Sequence, residues 1–221
     1  MRTMVDVSAQ IDRATAVLLE GGVVAFPTDT VYGIGALPTN EAAVDRIYTM
    51  KGRPRSRALI VHVHEREAIP AFAQKIPDYA LQLAEAFWPG ALTLVLPRRE
   101  SVPLYVTGER DTVSLRMPNH RMAMRLMSAL NERGEQTLGI AAPSANRFGD
   151  TPASTAQEVV ARLGAPGSGD GSPDLILDGG ACPGKVPSTI LDCTGQWPRL
   201  LRRGNTSVEA IENVIGRFVK Q

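Results

Sequence analysis

Three segments of the 221-residue chain gather residue types suited to holding a polar, phosphorylated ligand. The first, Pro27-Thr-Asp-Thr-Val-Tyr-Gly-Ile-Gly35, directly follows the apolar run Val23 to Phe26. Loops at the carboxyl ends of strands are where α/β sheets bind ligands. The hydroxyls of Thr28 and Thr30, a tyrosine and two glycines suit the close approach of such a ligand. The second segment, Lys51-Gly-Arg-Pro-Arg-Ser-Arg57, places four cations in seven residues. Guanidinium forks match phosphate oxygens, and Pro54 stiffens the backbone so that less entropy is lost on fixing them. A solvated basic loop would look the same by charge alone. The third, Ala142-Pro-Ser-Ala-Asn146, offers a hydroxyl at Ser144 and an amide at Asn146 in a small-residue turn. A structural Asx turn accounts for that pair equally well.

Other motifs fail on their context. Gly179-Gly-Ala-Cys-Pro-Gly184-Lys185 has the spacing of a phosphate-binding loop, but Val186 and Pro187 stand where a Ser or Thr and a helix should follow. Without a helix N-terminus the amides that cradle phosphate are missing, so a strand-connecting turn is the better reading. Gly33-Ile-Gly35 lacks the third glycine of the dinucleotide fingerprint. His62-Val-His64 puts two imidazoles on one side of a strand, with no carboxylate or cysteine near to complete a zinc site. Cys182 and Cys193 form no metal or disulfide framework and are expected to be inert.

These segments need a scaffold, and the composition allows one. Hydrophobic residues make up 43% and charged residues 21%, enough for a buried core. The net charge is only +1, so a phosphate site must be a local concentration of cations. Arginine outnumbers lysine 20 to 4, a bias that a GC-rich genome also produces. The apolar runs are too short to span a bilayer and the N-terminus has no apolar signal region, which predicts a cytoplasmic protein. Helical and strand patterns alternate, which argues for an α/β layer fold. Helices are expected over residues 8–20, 40–50, 119–133, from Ser154 or Thr155, and from Thr206 with Glu209 as a capping box. Strands are expected over residues 23–26, 58–63, 92–96, 112–117, 138–142, 175–178, 189–193 and 199–201. Residues 164–173 (GAPGSGDGSP) read as a mobile surface loop within one domain covering residues 1–221.

Taken in order, the stretches FPTDTVYGIGA, KGRPRSRALIVHV, WPGALTLVL, VSLRMPNH, AAPSANRFG, PSTILD and LLRRG resemble the YrdC family, the threonylcarbamoyl-AMP synthases. They run from Gly22 to Gly204, most of the chain. The resemblance implies a twisted, mostly parallel mixed sheet flanked by helices, with a concave basic cavity. It implies an enzyme converting L-threonine, bicarbonate and ATP into threonylcarbamoyl-AMP and pyrophosphate, the first step of threonylcarbamoyladenosine modification of tRNA. Carried over by motif, Thr30, His62, Arg116 and Ser188 would hold threonine, with Arg116 on its carboxylate. Lys51 and Arg53 would meet the ATP phosphates as catalytic residues, and Arg57, Thr112, Ser144, Asn146 and Arg202 would line the nucleotide. Mg2+ would accompany ATP, with no tightly bound metal.

Two positions depart from the family pattern: Arg57, where a small polar residue is common, and Arg203, where proline is usual. The chain looks like the family's short form, without the extra C-terminal domain of longer members. Partners implied are the substrates, downstream tRNA threonylcarbamoyl-transfer proteins, and no membrane. Two rival readings accompany this one. The first is a non-catalytic module that binds double-stranded RNA or tRNA in the same basic cavity. The second, a carbamoyl-transfer domain like those inside hydrogenase-maturation proteins, is opposed by the absence of zinc-finger or acylphosphatase-like segments in the sequence.

Overall fold

In the computed structural model, which describes residues 7–134, 137–184 and 186–220, the expected helix signals mostly work. α1 (Val7–Leu19) buries Ile11, Ala14 and Leu18, one stripe at helical spacing. The chain then enters β1 (Val24–Phe26), which is buried throughout. The ligand loop after β1 is shorter than its sequence suggested, because Gly33–Gly35 forms β2, antiparallel to β1. α2 (Glu41–Lys51) starts at Asn40, whose side chain accepts from the Ala43 amide, and stops at Gly52 in the left-handed conformation.

The remaining strands and α-helices are β3 (Ile60–His62), α3 (Ile69–Phe72), α4 (Asp78–Phe87), β4 (Leu92–Pro97), α5 (Leu104–Thr107), β5 (Thr112–Arg116), α6 (Arg121–Arg133), β6 (Ile140–Ala142), α7 (Ala156–Leu163), β7 (Leu175–Ile176), β8 (Thr189–Asp192), β9 (Arg199–Arg202) and α8 (Val208–Ile215). α3, α4 and α5 were not anticipated, although α4 buries Tyr79, Ala80, Leu83 and Ala84 at helical spacing. The cap of α8 also moves by one residue. Ser207 accepts from the Ala210 amide, while Thr206 donates its hydroxyl to the Ala91 carbonyl. Thr155 does cap α7, and the Glu158 carboxylate reaches back to the Ser154 amide.

Two sheets result, ordered β2-β1-β7 and β6-β3-β5-β4-β8-β9. Parallel and antiparallel pairings are mixed. Three pairs are parallel (β1/β7, β3/β5, β4/β8) and four antiparallel, so the larger sheet alternates rather than being mostly parallel. Isolated bridges Gly33↔Ser144 and Ala36↔Ala141 join β2 to the β6 side of the larger sheet. Residues 164–173 form successive turns, closed by Gly167 N–H to Pro173 O and Ser172 Oγ to Gly169 O.

The larger sheet has two faces of opposite character, as the period of two along a strand requires. Val61, Leu92, Leu94, Leu96, Val113, Leu115 and Leu191 join one apolar core beneath α4 and α8. Their neighbours Ile60, His62, Val95, Thr112, Ser114, Arg116, Ile190 and Asp192 line a cavity on the other face. Leu18, Leu126 and Leu130 belong to a second core, where α1 packs on α6.

Gly204 closes the segment beside Ser188 at close quarters. A Cβ there would sit 2.3 Å from Ser188 C and Thr189 N. These are backbone atoms that cannot swing aside, so Gly204→Ala is expected to lose roughly 2 kcal/mol of stability. Gly171→Ala, where nothing lies within 4 Å, serves as a neutral control. Urea unfolding of the two variants checks the contrast, and equal stabilities would refute it.

Candidate active site

The cavity has a volume of about 840 Å³ and is walled by the polar face of the larger sheet, the loop after β1, and the segments around residues 53–58, 142–144 and 199–202. Six of its lining residues are arginines (53, 57, 110, 116, 199 and 202), and among the described residues one carboxylate, Asp192, lines it. Asp192 is already committed, accepting from Thr194 and from Arg199 Nη2 at 2.9 Å. Like charges gathered in a partly dry concavity raise the local potential for anions far above what a net charge of +1 suggests.

At one end stands Arg116, only 4% exposed. Its Nε donates to Gly90 O at 3.1 Å, Nη1 to Thr30 Oγ1 at 3.1 Å, and Nη2 to Asp29 Oδ1 at 2.6 Å. Burial pulls the guanidinium pKa down and Asp29 opposes that pull. Three of five N–H groups are therefore fixed, leaving one on each terminal nitrogen for a ligand. Asp29 also accepts from the Asn119 amide at 3.0 Å, so its position is itself determined. It belongs to the first sequence segment, yet only the long-range pairing reveals its role.

His62 lies on β3 beside Arg116, with its ring edge-on to Phe26 at 5.9 Å. Burial and then Arg116 push its pKa down to about 3, so the imidazole is neutral. Nδ1 is 3.2 Å from Ile60 O, and a carbonyl only accepts, so in this bond Nδ1 carries the proton. Ser188 completes the group. Arg202 donates through Nε and Nη2 to Ser188 O at 3.0 and 2.8 Å, and through Nη2 to Ser188 Oγ at 3.0 Å.

The basic segment divides. Arg53 and Arg57 line the cavity. Arg53 is held by Arg57 O and Ala58 O and lies 5.8 Å from the Phe148 ring centre. Arg55 turns to the outside and pairs with Asp45. Lys51 and Asn146 stand behind the wall rather than in it. Lys51 Nζ, buried at 2% exposure, donates to Ser144 O at 2.6 Å and to Asn146 O, while Lys51 O accepts from the Phe148 amide. Burial and then Arg53 lower its pKa to about 7. Ser144 Oγ donates to Asn146 Oδ1 at 2.5 Å, and the Asn146 amide group donates to Arg147 O and Asp150 O. Lys51 thus braces the loop that presents Ser144.

Of the residues singled out from the sequence, Thr30, Arg53, Arg57, His62, Thr112, Arg116, Ser144, Ser188 and Arg202 meet in the cavity. Ser114, Arg110, Arg199 and Asp29 were missed. The alternation Thr112, Ser114, Arg116 along β5 was the available signal for Ser114. Cys182 and Cys193 are both buried, and burial raises their thiol pKa values to about 11 and about 12. The phosphate-loop-like segment leads into β8 without a helix, and its Lys185 lies outside the described residues. No three His, Cys, Asp or Glu side chains among the described residues are grouped to hold a metal, and no described helix is long and apolar enough to cross a membrane.

The family described as "Telomere recombination", comprising Sua5, YciO and YrdC, matches residues 16–204. This chain belongs to that family. It is 44% identical over 205 residues to the threonylcarbamoyl-AMP synthase of Pyrococcus abyssi and 43% identical over 208 residues to that of Bacillus subtilis. These matches take in 93% and 94% of this chain but 57% of each relative, so the chain spans little more than half their length. The crystal structure of P. abyssi Sua5 complexed with L-threonine superposes with a TM-score of 0.86 at 44% identity, covering 96% of this chain and 58% of that one.

The neutral state of His62 makes stability depend on pH. Its native pKa of about 3 lies below its ordinary value of 6.5, so between these values the unfolded chain binds the extra proton. Stability is therefore full above pH ~6.5 and falls as pH drops toward 3, by up to ~1.4 kcal/mol per unit. His62→Gln is expected to flatten that limb in denaturant titrations at stepped pH. An unchanged slope would show that the imidazole is solvated.

Proposed function

We propose that the cavity binds L-threonine and ATP together and forms threonylcarbamoyl-AMP. The observation that supports this most is the union of Arg116, Thr30, His62 and Ser188, from four separate segments, at one end of an arginine-lined cavity. Arg116 offers its two remaining N–H groups to the threonine carboxylate. Thr30, neutral His62 and Ser188 surround the rest of the amino acid. Arg53, Arg57, Arg202, Thr112 and Ser144 face the nucleotide, with Lys51 and Asn146 holding the Ser144 loop in place.

In the reaction, the threonine amino nitrogen bonds to the carbon of bicarbonate and water leaves, giving a carbamate. A carbamate oxygen then bonds to the α-phosphorus of ATP while the bond to the β-phosphate oxygen breaks, releasing pyrophosphate. A neutral imidazole at His62 adds no proton source beside an acid-labile carbamate. Arginines at the phosphates offset the charge that develops as pyrophosphate departs. Magnesium would come with the nucleotide. The donors on this wall, with Asp192 tied to Thr194 and Arg199, do not fit a resident metal. The product's further use in tRNA modification, with transfer proteins downstream, belongs to the same proposal. A rival use of the cavity for double-stranded RNA would need no amino acid.

The test is pyrophosphate release with each substrate omitted in turn. Release should require threonine and bicarbonate, valine should not replace threonine, and Arg53→Ala should slow turnover by ~100-fold, the scale of losing one charge-stabilising donor. Release that is indifferent to threonine, or RNA binding that falls steeply with salt and needs no threonine, would favour the RNA reading.

A further inference from the structure

The directions of the hydrogen bonds in the cavity can be worked out from their partners. Ser188 Oγ accepts from Arg202 Nη2 at 3.0 Å, since an arginine only donates. It also lies 2.8 Å from Thr93 Oγ1, and either hydroxyl could supply that proton. Thr93 decides the matter. It sits on β4 between Leu92 and Leu94, which face the apolar core, so its side chain points to the cavity side and is covered there by Ser188. Thr93 is 0% exposed, and among the described residues Ser188 Oγ is the partner of its hydroxyl. Were Ser188 the donor, the Thr93 proton would be stranded in a dry interior with no acceptor, the more expensive arrangement. With Thr93 donating, both Ser188 lone pairs are occupied and its own proton faces the cavity.

Thr30 is not restricted in this way. Thr28 Oγ1 donates to Val31 O at 2.6 Å, so toward Thr30 Oγ1, 3.0 Å away, it can only accept. Thr28 Oγ1 already accepts from the Thr30 and Val31 amides at 3.1 and 3.3 Å, so the Thr30 proton is not committed there, while one Thr30 lone pair is taken by Arg116 Nη1 at 3.1 Å. What remains for a ligand is the hydroxyl proton and a single lone pair.

We propose that Thr93 is a positioning residue that makes Ser188 a donor-only group, so that this side of the pocket takes an anionic oxygen of the amino acid. Ser188 takes an anionic oxygen of the substrate, a carboxylate or carbamate oxygen. This deepens the threonine reading above and rests on it.

Two measurements separate the proposal from that reading. In the ligand-free wild-type protein, hydroxyl-proton exchange is read from the deuterium isotope shift on the β-carbons in mixed H2O and D2O. Thr93 should show two resolved lines from slow exchange and Ser188 one averaged line; equal, fast exchange at Thr93 overturns the polarity assignment whatever the substrate is. The second measurement is calorimetric binding. Thr93→Val should weaken L-threonine by about tenfold while a non-hydrolysable ATP analogue stays within about twofold, and Thr93→Ser should restore threonine binding. An equal loss for both ligands, no loss for threonine, or failure of the serine variant to rescue would reduce Thr93 to packing. If the wild-type protein binds the nucleotide but not threonine, the functional reading falls, and the exchange measurement alone then judges the hydroxyl polarity.

Discussion

Arg116 carries a charge that the protein interior penalises, and much of the site follows from how that charge is held. A buried guanidinium survives only with a counterion and acceptors arranged around it. Asp29 supplies the charge and Gly90 O and Thr30 Oγ1 supply acceptors, the adjacent Asp29 and Thr30 from the loop after β1 and Gly90 from the segment before β4. Strand β5 sets the Cα, pairing with β3 through Leu115 and Arg116 opposite Val61 and His62. The loop after β1 must then adopt the turn that brings Asp29 and Thr30 to it. Fixing one cation thus fixes the loop, favours a neutral His62 and occupies one lone pair of the Thr30 hydroxyl.

The other cations are held by a different device. Lys51, Arg53 and Arg202 all donate to backbone carbonyls rather than to carboxylates. Carbonyl dipoles orient a cation without cancelling its charge, so the cavity keeps a positive field that ion pairs would have removed. Where a guanidinium has no anion to meet, as with Arg55 on the outer side, it is paired with Asp45 instead. The burial pattern and the pairing pattern therefore agree on which side of the basic segment faces a ligand.

Much of this was legible in the sequence, at the level of segments rather than atoms. The caps Asn40, Gly52 and Thr155 act locally, within one helical turn, so their signals read correctly. α4 was missed because it lies between two strong strand patterns and has no side-chain N-cap: Pro77 precedes it instead. Thr206 looked like a cap until tertiary contact drew its hydroxyl to Ala91. The motif residues came out in one cavity, but their division into wall and brace did not show. Nothing about Lys51 and Asn146 as letters distinguishes facing a phosphate from holding the loop beside it. Asp29 and Thr93 were invisible for the same reason, since each acts through a partner 87 or 95 positions away in the chain.

The same long-range pairs join the two halves of the cavity. Ser188 lines the cavity with Arg116, Thr30 and His62, and the repulsion that Arg116 and then Arg53 exert on Arg202 adds to burial in lowering its pKa. Three hydrogen bonds nonetheless tie Arg202 to Ser188. An anion entering beside Arg202 relieves that repulsion and steadies the Ser188 segment at once. An oxygen settling on Ser188 in turn fixes the hydroxyl that Arg202 holds. Each event orders a group that the other needs, so part of the ordering entropy for the second ligand is met by the first. In a cavity proposed to bring two substrates to one bond, that shared contact favours filling both subsites over filling either alone.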